Sequence, residues 1–221
     1  VDCGIDDFSK GRDGISEFEF RNISLPVGLT WDRRDDPVSA TKGFYVDAEA
    51  KPFFGFGTTD SGVRFTWDAR AYRGFGSDRF VLAARIQGGA IYGSSLLGTP
   101  RDELFYSGGG GSVRGQPYQS LGIDVLRIGN RSSRIGGTFF LGSQLEARLR
   151  VTRKIGVVGF YDFGQIGIND FFDDFSGTHS GAGIGLRYDT GFGPIRLDVA
   201  KPVGGTTGEG VQIYVGLGQA F

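Results

Sequence analysis

Hydrophobicity in this chain alternates residue by residue over long stretches, and that period of two confines it to β-structure. Val63, Phe65, Trp67, Ala69 and Ala71 alternate with Arg64, Thr66, Asp68, Arg70 and Tyr72. Phe80, Leu82, Ala84 and Ile86 alternate with Val81, Ala83, Arg85 and Gln87. Leu141, Ser143, Leu145, Ala147 and Leu149 alternate with Gly142, Gln144, Glu146, Arg148 and Arg150. Ile195, Leu197 and Val199 alternate with Pro194, Arg196 and Asp198. Successive side chains of a strand point to opposite faces, so each segment has one apolar and one polar face. No segment has a convincing helical period, and no apolar run approaches the roughly 18 residues of a membrane-spanning helix.

The pattern predicts nine strands, at 18–31, 44–56, 63–73, 80–92, 138–151, 155–167, 179–190, 194–200 and 211–221. Several reach the roughly 9–11 residues that a tilted strand needs to cross a bilayer, where an ordinary strand has about five or six. The connections alternate in length. Those at 74–79, 152–154 and 191–193 are short, those at 169–178 and 204–210 are longer and polar, and 93–137 is very long. Short turns at one end and long loops at the other are the layout of an outer-membrane barrel. The connection 32–43 is the exception, long where a short turn is expected. A soluble antiparallel sandwich also alternates. Two features favour the barrel. The polar faces carry bulky charges of both signs, as a wet lumen would, and Trp31, Trp67, Tyr161 and Tyr188 are expected near strand ends, as an interfacial girdle. The expected fold is all-β, an antiparallel transmembrane β-barrel.

Composition removes several functions. A net charge of −1 gives no electrostatic case for nucleic acid. The single cysteine, Cys3, excludes an internal disulfide and a cysteine-based zinc site. Any histidine chemistry would rest on His179 alone. There is no Gly-x-Ser-x-Gly elbow, and the glycine run 108–111 lacks the Lys-Ser/Thr of a phosphate-binding loop. Asn169, Asp170, Asp173 and Asp174 read as a solvated loop. No catalysis, metal or cofactor is expected. The chain has no methionine, so Val1 is not expected to be a translation start, and upstream sequence or a targeting segment is implied.

The long connection contains Leu104-Phe105-Tyr106-Ser107-Gly108-Gly109-Gly110-Gly111-Ser112-Val113-Arg114-Gly115-Gln116-Pro117-Tyr118. Loops of this length inside a domain are usually functional or disordered. The glycines permit a tight fold-back that presents Arg114. A guanidinium folded into a lumen needs carboxylate partners, because a poorly solvated charge is costly unless paired. Glu146 and Asp162 fall on the polar phase of the next two strands and are the natural acceptors. The competing reading is a disordered surface loop with an ordinary arginine.

These residues resemble the Omp85 superfamily, whose members carry a Val-Arg-Gly-Phe/Tyr motif in an extracellular loop that folds into the barrel. Here the motif is Val113-Arg114-Gly115-Gln116, with the aromatic replaced by Gln116 and Tyr118 close by. The resemblance implies that Arg114 contacts acidic residues at the positions of Glu146, in Gly142-Ser143-Gln144-Leu145-Glu146, and Asp162, in Phe160-Tyr161-Asp162-Phe163-Gly164. The C-terminal run Tyr214-Val215-Gly216-Leu217-Gly218-Gln219-Ala220-Phe221 resembles the signal that outer-membrane proteins present to their insertion machinery, with Tyr214, Gly216 and Phe221 fitting and Gln219 departing. Within the superfamily the likeness is to the TamA-type branch, outer-membrane subunits of a translocation and assembly module. Residues 109–121, 137–167, 181–203 and 211–221 carry it, and Trp31-Asp32-Arg33-Arg34-Asp35-Asp36-Pro37 resembles its long periplasmic turn.

The resemblance implies that the nine strands are the last nine of a sixteen-stranded barrel in a Gram-negative outer membrane, with the first strands and the periplasmic POTRA modules outside this chain. First and last strands would meet at a weak seam. Gly216 and Gly218 fall on the inward phase of 211–221 and would loosen it. A parting seam exposes backbone groups that an incoming strand can satisfy by β-augmentation. The implied partners are the lipid bilayer with lipopolysaccharide, a TamB-like inner-membrane-anchored periplasmic protein, and client outer-membrane proteins such as autotransporters. Two other functions are compatible with the residues: a two-partner-type secretion pore, or the barrel anchor of an N-terminal patatin-like lipase. A diffusion porin fits less well, since an inward-folded loop would plug it.

Overall fold

The computed structural model describes residues 20–128, 131–169 and 177–221. Cys3, Asp170, Asp173 and Asp174 lie outside the described residues. The alternating segments form strands β1 (Arg21–Ser24), β2 (Val27–Asp32), β3 (Gly43–Phe56), β4 (Gly62–Phe75), β5 (Phe80–Tyr92), β6 (Ile123–Ile128), β7 (Arg131–Ile135), β8 (Phe139–Arg150), β9 (Ile155–Gly167), β10 (Gly177–Thr190), β11 (Gly193–Gly204) and β12 (Gln212–Leu217). Ten of them make one antiparallel sheet in the order β1-β3-β4-β5-β8-β9-β10-β11-β12, with β2 also on β3. The sheet is a meander once the separate β6–β7 hairpin is set aside. It is not closed: among the described residues β12 pairs with β11 alone, and β1 and β2 pair with β3 alone.

Five expectations change. The strand placed at 18–31 is two pieces flanking Pro26, which has no N–H for the ladder. Both pieces still pair with β3. The strand placed at 194–200 runs four residues further, to Gly204. The connection 93–137 holds the β6–β7 hairpin, whose paired ends Ile128 and Arg131 have two residues between them. The final strand, placed at 211–221, ends at Leu217. Gly218 then takes φ +81°, open to glycine at no steric cost, and turns the chain across the sheet. Finally, Trp67 and Tyr161 stand in mid-strand, whereas Trp31 and Tyr188 do sit near strand ends. Trp67 lies inside β4, which runs from Gly62 to Phe75, and its ring covers Gly88 of the neighbouring strand, where a Cβ would collide with it.

The two faces invert the usual distribution of a soluble domain. Leu29, Ile184, Val215 and Leu217 are 70%, 73%, 74% and 81% exposed. On the opposite face Gln144, Glu146, Asp162 and Asp198 are buried. A continuous exposed apolar surface of this kind is suited to lipid. Ile184→Arg, at the middle of β10, is therefore expected to destabilise the protein folded in phospholipid vesicles by about 2–4 kcal/mol. A water-facing position of the same exposure would lose no more than about 0.5 kcal/mol. Urea titration in vesicles separates the two.

The apolar core lies at the long-loop end and belongs largely to the loop. Leu104, Phe105 and Leu121 pack with Phe53, Ile91, Phe140 and Ile166 from four strands and with Ile123 and Ile135 from the hairpin. Backbone bridges Phe105–Gly137 and Ser107–Leu121 fasten the segment to itself. Each buried side chain of this size contributes roughly 1.5–3 kcal/mol. The loop is thus held as structure before its arginine is considered.

Candidate functional site

Residues 107–118 descend from this core onto the polar face of the sheet. Gly109 N–H donates to the Val113 carbonyl at 3.1 Å and to the Gln116 carbonyl at 3.0 Å, closing a narrow turn with Arg114 at its tip. Two glycines let the tip seat. Gly115 has φ +93°, and a side chain there would press on the backbone of Lys201. Gly181, on β10, faces the carbonyl oxygen of Arg114 so closely that any Cβ would overlap it.

Arg114 is fully buried and makes five hydrogen bonds to carboxylates of three strands. Its Nε and Nη2 donate to Asp162 at 2.8 and 2.9 Å, and its backbone N–H donates to the same carboxylate at 3.0 Å. Its Nη1 donates to Glu146 at 2.6 Å and to Asp198 at 3.2 Å. The guanidinium lies 3.6 Å above the ring of Phe160. Burial alone would push this arginine down, but the hydrogen bonds and charges of Asp162 and Glu146 outweigh it and hold the group above its ordinary value.

The cluster extends beyond the residues that sequence reasoning selected. Arg148 donates from Nε to Glu146 at 2.8 Å, and Arg187 donates to Asp198 and, from Nε, to Gln219 at 3.0 Å. Three buried guanidinium groups, Arg114, Arg148 and Arg187, thus interlock with three carboxylates, Glu146, Asp162 and Asp198. Alternation had placed Asp198 on the polar phase of its strand and Arg148 on that of β8. Their convergence on one loop residue depends on strand order and register, which alternation does not carry.

The remaining site residues fall into two groups. Val113 is buried beneath the tip. Gln116 is fully buried and donates from its amide to the carbonyls of Ser180 at 2.8 Å and Gly204 at 3.1 Å. Tyr118, near the missing aromatic in sequence, is 80% exposed and does not replace it. Tyr214 of β12 points to the same tip: its hydroxyl accepts from Gly115 N–H at 3.0 Å. Gly216 lies under the side chain of Arg196, where a Cβ would come 2.8 Å from Nε. Gly218 and Phe221 are not part of the strand. Phe221 packs with Ala40, Tyr72 and Ala83, and its backbone oxygen accepts from Arg148 Nη2 at 3.0 Å. The aromatic end is turned onto the sheet because Gly218 breaks the ladder and the 32–43 connection receives it, Val38 O accepting from Gln219 N–H at 3.3 Å.

Fold and site together define a class: part of the wall of an outer-membrane-type β-barrel, with a long loop locked onto its polar face through a buried arginine. The chain belongs to the Omp85 superfamily, whose domain matches residues 5–221. Its fold is similar to that of BamA from Haemophilus ducreyi lacking POTRA domains 1-3, with a TM-score of 0.66 at 17% sequence identity. The likeness covers 86% of this chain and 40% of the BamA chain, so this chain spans about two fifths of that relative.

Proposed function

We propose that this chain is the C-terminal part of a sixteen-stranded barrel in a Gram-negative outer membrane, in an assembly factor of the TamA kind that inserts or translocates client β-barrel proteins such as autotransporters. The observation that carries the reading is the loop locked onto the polar face through Arg114. Among the described residues β12 pairs with β11, and its other edge is where the first strand of a closed barrel would meet it. A sheet edge cannot stand unpaired in hydrocarbon, so it needs either the first barrel strand or an incoming client strand. A client pairing there enters the bilayer with its backbone groups satisfied. The loop carrying Arg114 fills the space beside the polar face from the extracellular side, which favours a wall that parts over an open pore. POTRA modules would precede the barrel, and a TamB-like protein would approach from the periplasm. Lipopolysaccharide would surround the outer rim.

A photo-crosslinking residue in place of Ile213 or Val215, on β12, tests the reading in living cells of the source bacterium. Crosslinks to the terminal strands of newly exported barrel proteins are expected, with those proteins accumulating in the periplasm when the gene is deleted. Crosslinking to one soluble exported protein, with other barrels at normal levels, would instead establish a dedicated secretion pore.

A further inference from the structure

The loop tip touches the last hairpin by a second route that uses no charge. Gln116 donates both amide hydrogens to backbone carbonyls, so its Oε1 can only accept. The Thr207 hydroxyl, in the connection between β11 and β12, donates to that oxygen at 2.9 Å. Having spent its hydrogen, Thr207 must accept from His179 Nδ1 at 2.7 Å. The proton of the neutral imidazole is therefore on Nδ1, and Nε2 accepts from the Ser107 hydroxyl at 2.8 Å. The relay returns to the loop where it started. Ser107, Gln116 and His179 are all buried. In parallel, the Tyr214 hydroxyl accepts from Gly115 N–H and donates to the Gln116 carbonyl at 3.4 Å. The Tyr214 ring packs against Val158, Phe160 and Ala200, and Phe160 is the ring beneath Arg114.

We propose that Gln116, Thr207 and Tyr214 couple the seating of the loop to the order of β12, so that the last strand and the Arg114 turn open together. Gln116 is the positioning residue. An aromatic side chain at 116 could stack but could not accept from Thr207 while donating to two carbonyls. The physical basis is the shortness of β12, which has six residues, a ladder to β11 and an outer face of exposed Ile213, Val215 and Leu217. At its far end the turn through Gly218 holds it, Gly218 N–H donating to the Pro194 carbonyl at 2.7 Å. Toward its other end, beside the ladder to β11, it meets the loop tip through Tyr214. The value of this coupling for strand exchange rests on the assembly reading above, but the coupling itself does not.

Amide hydrogen exchange on the intact protein in lipid nanodiscs tests it. Thr207→Val or Tyr214→Phe is expected to accelerate exchange about tenfold across both β12 and residues 113–116, the effect of losing about one or two net hydrogen bonds. Strands β8 and β9 should keep their protection, and Thr207→Ser, which keeps the hydroxyl, should behave as wild type. Unchanged exchange in β12, or equal acceleration of every strand, overturns the proposal. Should these variants fail to fold, the unaltered protein in mild denaturant decides the question. Coupled elements open in one step with one free energy, and separate openings of β12 and the loop refute the link. Client levels in cells test the assembly reading separately.

Discussion

Arg114→Glu is expected to unseat the loop and to cost at least about 3–5 kcal/mol of stability, the range for breaking a buried ion pair. The reversal would place a fourth carboxylate among Glu146, Asp162 and Asp198, leaving Asp162 without a cation while Arg148 and Arg187 remain paired with Glu146 and Asp198 alone. Urea unfolding of the intact protein in vesicles measures the loss, and proteinase K cleavage between residues 107 and 118 measures the release. Arg114→Lys should be intermediate, because an ammonium is a point charge and cannot address three carboxylates as a planar fork does. Adding Asp162→Lys to Arg114→Glu should recover less than half of the loss. Asp162 receives three of the five hydrogen bonds from Arg114, but the other two carboxylates still face the wrong sign. Wild-type unfolding and wild-type protease resistance of Arg114→Glu would end the idea of a lock.

The second large effect is steric and leaves every charge in place. Gly181→Val is expected to displace the tip, because its Cβ would occupy the position of the Arg114 carbonyl oxygen. The residue is held on its other side by one backbone and four guanidinium hydrogen bonds, so the tip cannot shift without breaking them. Trypsin reads this directly. Arg114 is buried and should resist cleavage in the wild-type protein, then become a cutting site in the variant. Substituting Gly159, where an added Cβ meets nothing within 4 Å, is the matched control on the neighbouring strand. Resistance of Gly181→Val equal to that control would show that the loop seats by another path.

Alternation made much of the sheet legible. Strands β3, β4, β5, β8, β9 and β10 lie close to their expected positions, since a period of two survives wherever one face meets an apolar phase and the other a polar one. Boundaries went astray where a local backbone rule intervened. Pro26 split the first strand, and Gly218 ended the last, although a terminal phenylalanine in alternating phase had argued for continuation. The β6–β7 hairpin had its own signal, Gly129-Asn130 between two short β-prone runs, obscured by the glycine run before it.

The sequence by itself determined that the chain is β-structure, which face of each strand is apolar, and which residues can reach the polar side. It also held the motif around Arg114 and the two acidic positions, Glu146 and Asp162, on the right phase. Only the tertiary structure decided that Asp198, Arg148 and Arg187 complete the charge cluster, that Gln116 reads Thr207 and two backbone carbonyls, and that Tyr214 turns toward the loop tip. The physical reason is that phase is a local property, repeated every second residue along one strand. Which residues of equal phase meet across four strands and a folded loop depends on register, and register is set by the whole sheet at once.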